Sequence, residues 1–117
     1  MGTTDNMADL KEDKKGDILV LRIRGRLDAL SSPVTEKRVF ELINEGQHKL
    51  LLDLGGVSYL SSAGMRMLLS TTKKLRNLSG RLIVCSMTPN VTDVLKMSGF
   101  DHVLELFKTE EEALRHF

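Results

Sequence analysis

The stretch Leu50 to Leu54 (LLLDL) constrains this chain more than any other. It is almost wholly apolar, shorter than an ordinary helix, and closed by Gly55-Gly56. A strand apolar on both faces must be covered on both faces, which suits the middle of a parallel sheet better than a half-wet hairpin. A glycine pair without the rest of a phosphate-binding motif marks a tight strand exit, so a turn is expected at Gly55-Gly56. Two further runs repeat the pattern. Ile18 to Ile23 (ILVLRI) is closed by Gly25, and Arg81 to Cys85 (RLIVC) stands on its own.

Helical patterns lie between these runs. Ser31-Ser32-Pro33 announces the first: Ser32 can accept a hydrogen bond from a free amide of the opening turn, and Pro33 is tolerated where no N–H is needed. Val39, Leu42, Ile43 and Gly46 then recur at i, i+3, i+4 and i+7, with Gly46 as the stop. Ser61 or Ser62 opens a second helix, with Met65, Leu68, Leu69, Thr72 and Leu75 on one face and Gly80 beyond its end. Thr88-Pro89 begins a short helix carrying Val91, Val94 and Leu95 and stopped by Gly99. Thr109 and Glu112 have capping-box spacing for a last helix, Glu110 to His116. Met7 to Leu10 reads as a short edge strand, Lys14-Lys15-Gly16-Asp17 as a turn, and His102 to Leu106 as a final strand. The expectation is one α/β domain over residues 7–117, with residues 1–6 loose. Its sheet is mixed but mostly parallel, of four to five strands, with about four helices. Leu19, Leu21, Ile23, Leu51, Leu52, Leu68, Leu69, Ile83, Val84 and Leu95 are expected in the core.

Composition closes off several functions. Seventeen basic and sixteen acidic residues leave a net charge of +1, against the basic excess of nucleic-acid binders. The single cysteine, Cys85, permits no internal disulfide and fits a reducing compartment. At the end of an apolar strand it reads as a small core residue. No apolar run approaches the ~20 residues of a membrane span, and the polar start is no secretory signal, so a cytoplasmic location is expected. His48, His102 and His116 are far apart and next to no cysteine or paired acid in ligand spacing. GxGxxG, GxxxxGK[ST] and GxSxG are all missing. No metal, cofactor or enzyme activity is expected. Lys73-Lys74-Leu75-Arg76 reads as a solvated face against the negative end of its helix.

The informative segment runs from Asp53 to Gly64 (DLGGVSYLSSAG). A buried strand leads through a short loop into a helix that starts Ser-Ser-Ala-Gly. One reading is structural: a serine caps the helix, and Ala63 and Gly64 are small because its start packs closely. The other is regulatory. A hydroxyl at an exposed helix start suits phosphorylation, since the free amides and the dipole tolerate an anion.

From about Met7 onward the chain resembles the STAS family, and within it the bacterial anti-sigma factor antagonists. Three stretches carry the resemblance: Arg24-Gly25-Arg26-Leu27-Asp28; Leu52-Asp53-Leu54 followed by Val57 to Gly64; and Met97-Ser98-Gly99-Phe100. The resemblance implies that Ser62, two residues before Gly64, is a regulatory phosphoacceptor. It implies partner switching: the unphosphorylated antagonist binds an anti-sigma factor that is also a serine kinase, freeing the sigma factor. Phosphorylation ends that binding and a PP2C-type phosphatase restores it. Asp28 matches an acidic position on the same surface. The expected partner site takes in Ser61, Ser62 and Gly64, with Tyr59 or Met65 as apolar contact, although the helical phase of Met65 favours the core. The departure is Ser61, which stands where many phospho-regulated members have Asp, and which makes Ser61 the alternative acceptor. A STAS scaffold or sensor without a phosphorylation cycle is the alternative function. A two-component receiver with Asp53 as acceptor lacks its expected acidic pair after an early strand.

Overall fold

The computed structural model describes residues 8–117; the segment 1–6 and Met7 lie outside them. One five-stranded sheet runs in the order β1-β2-β3-β4-β5. β1 (Asp9–Lys15) pairs antiparallel with β2 (Ile18–Leu27), while β3 (Lys49–Leu60), β4 (Arg81–Cys85) and β5 (Glu105–Phe107) continue it in parallel. Gly16, at φ +64°, makes the tight reversal that sets Lys15 opposite Ile18.

Strand alternation divides the apolar residues between two faces. Leu19, Leu21 and Ile23, with Leu50, Leu52, Leu54, Leu82 and Val84, lie under α1 (Ser31–Asn44), α2 (Ser62–Asn77) and α3 (Pro89–Met97). Val20, Leu51, Ile83 and Cys85 point the other way, onto α4 (Glu110–Leu114) through Ala113. Both faces of β3 are therefore covered at LLLDL, as its composition demands. Burial pushes the Cys85 thiol up to about 11, which leaves it protonated and unreactive in the fold.

Several expectations are corrected. Gly55 and Gly56 do not end the strand: β3 continues through them to Leu60 and pairs with the far half of β2. Gly56 is small because a Cβ there would lie 2.6 Å from Arg24 Cγ, where the β2–β3 register shifts between Arg22 and Arg24. Ser32 does not cap α1. It sits inside the first turn, 2% exposed, and its hydroxyl has no partner among the described residues. Asp28 does the capping, its Oδ1 accepting from the amides of Leu30 (3.1 Å) and Ser31 (3.0 Å). β1 is longer than expected, β5 starts three residues later, and a 3-10 turn occupies Phe100–His102. α4 ends at Leu114, short of His116. The buried face of α2 is Gly64, Met67, Leu68, Thr71, Thr72 and Leu75, which leaves Leu69 and Met65 half-buried at its flank. Met65, Met67, Leu68 and Leu69 spread over more than one face of the helix, and packing on the sheet selects which is buried.

An ionic cluster ties α4 to the sheet. Arg22 on β2 donates to Glu110 Oε1 (2.8 Å) and Asp13 Oδ2 (3.0 Å), and Lys15 donates to Glu110 Oε2 (2.8 Å). The Lys15 ammonium first, and then Arg22, hold the Glu110 carboxyl below the usual glutamate range. A lowered value stabilises the fold above the ordinary glutamate pKa, and that contribution is lost as pH falls through the folded value.

Two predictions follow from this packing. Leu52→Ala, at a fully buried site, should cost ~2–5 kcal/mol in urea unfolding; a loss below ~0.5 kcal/mol would misplace the core. Glu110→Gln should cost about 1 kcal/mol or less at neutral pH, given solvent screening. Its difference from wild type should vanish in strongly acidic solution, as unfolding curves at the two pH values would show.

Candidate functional site

The site forms at the carboxyl end of the parallel strands, where β2 and β3 stop side by side. Leu27 pairs with Leu60, and the next residue on that side is Ser61. The Leu27 carbonyl accepts two bonds from Ser61, one from its amide and one from its hydroxyl, both at 2.9 Å. The same hydroxyl accepts from the Gly64 amide at 3.2 Å, which caps α2. Ser61 is thus fully engaged in starting the helix.

Ser62 is the first residue of α2 and is exposed. Of the two neighbouring hydroxyls, one is committed to the backbone and the other faces solvent. Asp at position 61 would, like Ser, be a favoured cap and would keep the geometry. Gly64 explains the close approach: a Cβ would stand 2.6 Å from Leu60 Cδ1 and 2.8 Å from the Leu27 carbonyl oxygen.

Asp28 lies in the β2–α1 connection beside this helix start. Its carboxyl is lowered chiefly by the Ser31 amide, then by the Leu30 amide, and Arg26 Nε lies 3.7 Å from Oδ2. Ser31, fully buried, donates from its hydroxyl to the Arg26 carbonyl and accepts from the Asp28 amide at 3.0 Å. Asp28 is therefore a structural cap as well as a surface charge. Tyr59 is 43% exposed, with the Arg26 guanidinium 4.4 Å from its ring centre. Met65 is half-buried and packs against the main core. The structure thus gathers Ser61, Ser62 and Gly64 at one helix start and joins it to Asp28 through Leu27.

Two exposed apolar residues at the start of α1 escaped the sequence reading: Leu30, just before the helix, is 68% exposed and Val34 50%. Their signal was available. They lie four residues apart, off the Val39–Leu42–Ile43 stripe, so a helix burying that stripe must expose them. Elsewhere Asp53 accepts from the Gly55 amide at 2.8 Å and faces Arg22 Nε at 3.8 Å, a structural arrangement. Arg76 reaches the Val103 carbonyl at 3.2 Å, and Lys74 lies 5.1 Å from the centre of the Phe40 ring. Among the described residues no three His, Cys, Asp or Glu side chains converge on a metal position, and no helix is long and apolar enough to cross a membrane.

A single mixed sheet with three helices on one face, and an exposed serine at a helix start beside Asp28, defines a class of small α/β domain. The chain belongs to the STAS domain family, whose model matches residues 10–113. It is 31% identical over 108 residues to BtrV of Bordetella bronchiseptica, a protein assigned as an anti-sigma factor antagonist, covering 92% of this chain and 93% of BtrV. The crystal structure of a Thermotoga maritima protein with the same assignment superposes with a TM-score of 0.88 at 21% identity, covering 92% of each chain. The Bacillus cell fate determinant SpoIIAA, in its phosphorylated form, superposes with a TM-score of 0.70 at 22% identity over 92% of this chain and 98% of its own.

The division of labour between the serines is open to measurement. Ser61→Ala should cost ~1 kcal/mol through the lost cap, and Ser61→Asp should restore most of it. Ser62→Ala should stay within ~0.5 kcal/mol of wild type, as an exposed position with no such role. Thermal unfolding of the three variants decides it.

Proposed function

We propose that this chain is an anti-sigma factor antagonist working by partner switching, with Ser62 as the phosphorylated residue. The observation that carries the reading is the exposed Ser62 hydroxyl, placed one residue past a cap that consumes the Ser61 hydroxyl. Membership in the STAS family and the likeness to BtrV supply the kind of partner.

In the unphosphorylated state the start of α2, with Tyr59, Met65 and the Asp28 loop, offers an uncharged hydroxyl in a partly apolar surface to an anti-sigma factor. That partner is itself a serine kinase, and binding it releases the sigma factor. The kinase transfers the γ-phosphoryl group of a nucleoside triphosphate to Ser62 Oγ, which gives up its proton as the nucleoside diphosphate leaves. A PP2C-type phosphatase later hydrolyses the ester. The cycle operates in the cytoplasm, beside the transcription machinery, and this chain performs none of its chemistry.

The physics of the switch is local. Phosphate adds about −1.5 to −2 charges at one point. The free amides at the helix start receive an anion without unfolding the domain. A partner surface that fits a neutral hydroxyl must instead desolvate a dianion, and ~2.7 kcal/mol of penalty already weakens binding a hundredfold.

Ser62→Ala should retain anti-sigma factor binding and lose phosphorylation, and Ser62→Asp should bind more weakly. Calorimetry and phosphosite mapping after incubation with the kinase are the measurements. Phosphate on Ser61 alone would move the site, and phosphate on neither serine would favour a scaffold role. Because Asp28 also caps α1, its charge is best tested with Asp28→Asn, which keeps a capping oxygen. A partner contact predicts weaker binding at unchanged stability.

A further inference from the structure

Beside Ser62 the first turns of α1 and α2 enclose a groove of about 320 Å³, lined by Ser32 and Glu36 from one helix and Ala63, Arg66 and Ser70 from the other. We propose that this groove is the resting site of the Ser62 phosphoryl group, with the Arg66 guanidinium and the Ser32 hydroxyl as its ligands. The inference rests on Ser62 being phosphorylated, as proposed above.

The first observation is Ser32. Its side chain is buried, 2% exposed, yet its hydroxyl has no hydrogen-bond partner among the described residues. An unsatisfied buried hydroxyl is costly. A donor left unused in the unmodified protein is complementary to an acceptor that arrives later, and a phosphoryl group brings three strong acceptor oxygens.

The second is Arg66, which is exposed and lies within 4 Å of no carboxylate among the described residues. It stands four residues after Ser62 on the same helix. Residues at that spacing lie on one face, ~5–6 Å apart at their Cβ atoms. A phosphoserine at the helix start can therefore fold back along α2 and meet the guanidinium in a charge-assisted, two-pronged pair. The 14-residue α1 and 16-residue α2 both begin at this end of the sheet, so their positive ends add to the attraction.

Glu36 is the opposing charge. It accepts from the Ser70 hydroxyl at 2.5 Å, which anchors it one turn deeper along α2 than Arg66. A carboxylate in the groove discourages free anions. A tethered phosphate overcomes it because attachment at Ser62 gives a high effective concentration. Arg66 then favours the dianion and turns the phosphate away from solvent, so it sets how long the phosphorylated state survives the phosphatase.

The test installs phosphoserine at position 62 by genetic encoding, which needs no kinase, and follows the phosphate by 31P NMR titration. A nearby cation lowers the second ionisation, so Arg66→Gln should raise it by ~0.5 units or more. Arg66→Lys should restore most of the lowering, and Ser32→Ala should raise the value by less than Arg66→Gln does. Identical titrations in wild type and Arg66→Gln would overturn the site. Absence of phosphate at Ser62 in protein taken from its native cells would instead overturn the regulatory reading on which the site depends.

Discussion

The Leu27 carbonyl is the point on which the site depends. It ends β2, takes both the amide and the hydroxyl of Ser61 at 2.9 Å, and lies where a side chain on Gly64 would intrude. One backbone oxygen thereby fixes the start of α2 against the end of a neighbouring strand. Because Ser61 is consumed in this junction, Ser62 is the hydroxyl left outside. The same strand end carries Asp28, whose carboxylate starts α1. Two helix starts and the candidate interface are thus registered to one another through β2, without a flexible link.

That rigidity has a source further down the sheet. β3 is continuous from Lys49 to Leu60, and Gly56 keeps it in contact with Arg24 of β2 across an irregular register. The core under LLLDL therefore transmits its position directly to the serines. A phosphate at such a place, as proposed for Ser62, would have no need to reshape the fold. It would change the charge of a surface that the sheet holds still, and binding energetics would do the rest.

The groove between α1 and α2 adds a second consequence of the same geometry. Both helices follow parallel strands, so their N-termini emerge side by side. The Ser32 hydroxyl and Arg66, both without a partner among the described residues, are what a purely structural helix pair would have been expected to satisfy or replace.

Sequence alone determined the elements whose residues choose their own environment. LLLDL has to be buried on both faces, Thr88 and Thr109 cap helices by local chemistry, and Gly16, Gly46 and Gly99 take positive φ where the chain reverses or a helix stops. The serine at the start of α2 was legible for the same reason, since capping is a matter of a few neighbouring atoms. Tertiary structure decided the rest. Gly55-Gly56 reads as a strand exit until β2 is laid beside it and the missing side chain of Gly56 becomes room for Arg24. Ser32 reads as a cap until Asp28, brought back by the turn after β2, takes that role. The face of α2 that is buried, and the fate of Leu69, followed from the sheet beneath it. Which of two adjacent serines remains free was likewise settled by a carbonyl thirty-four residues away in sequence, and no local pattern carries such a contact.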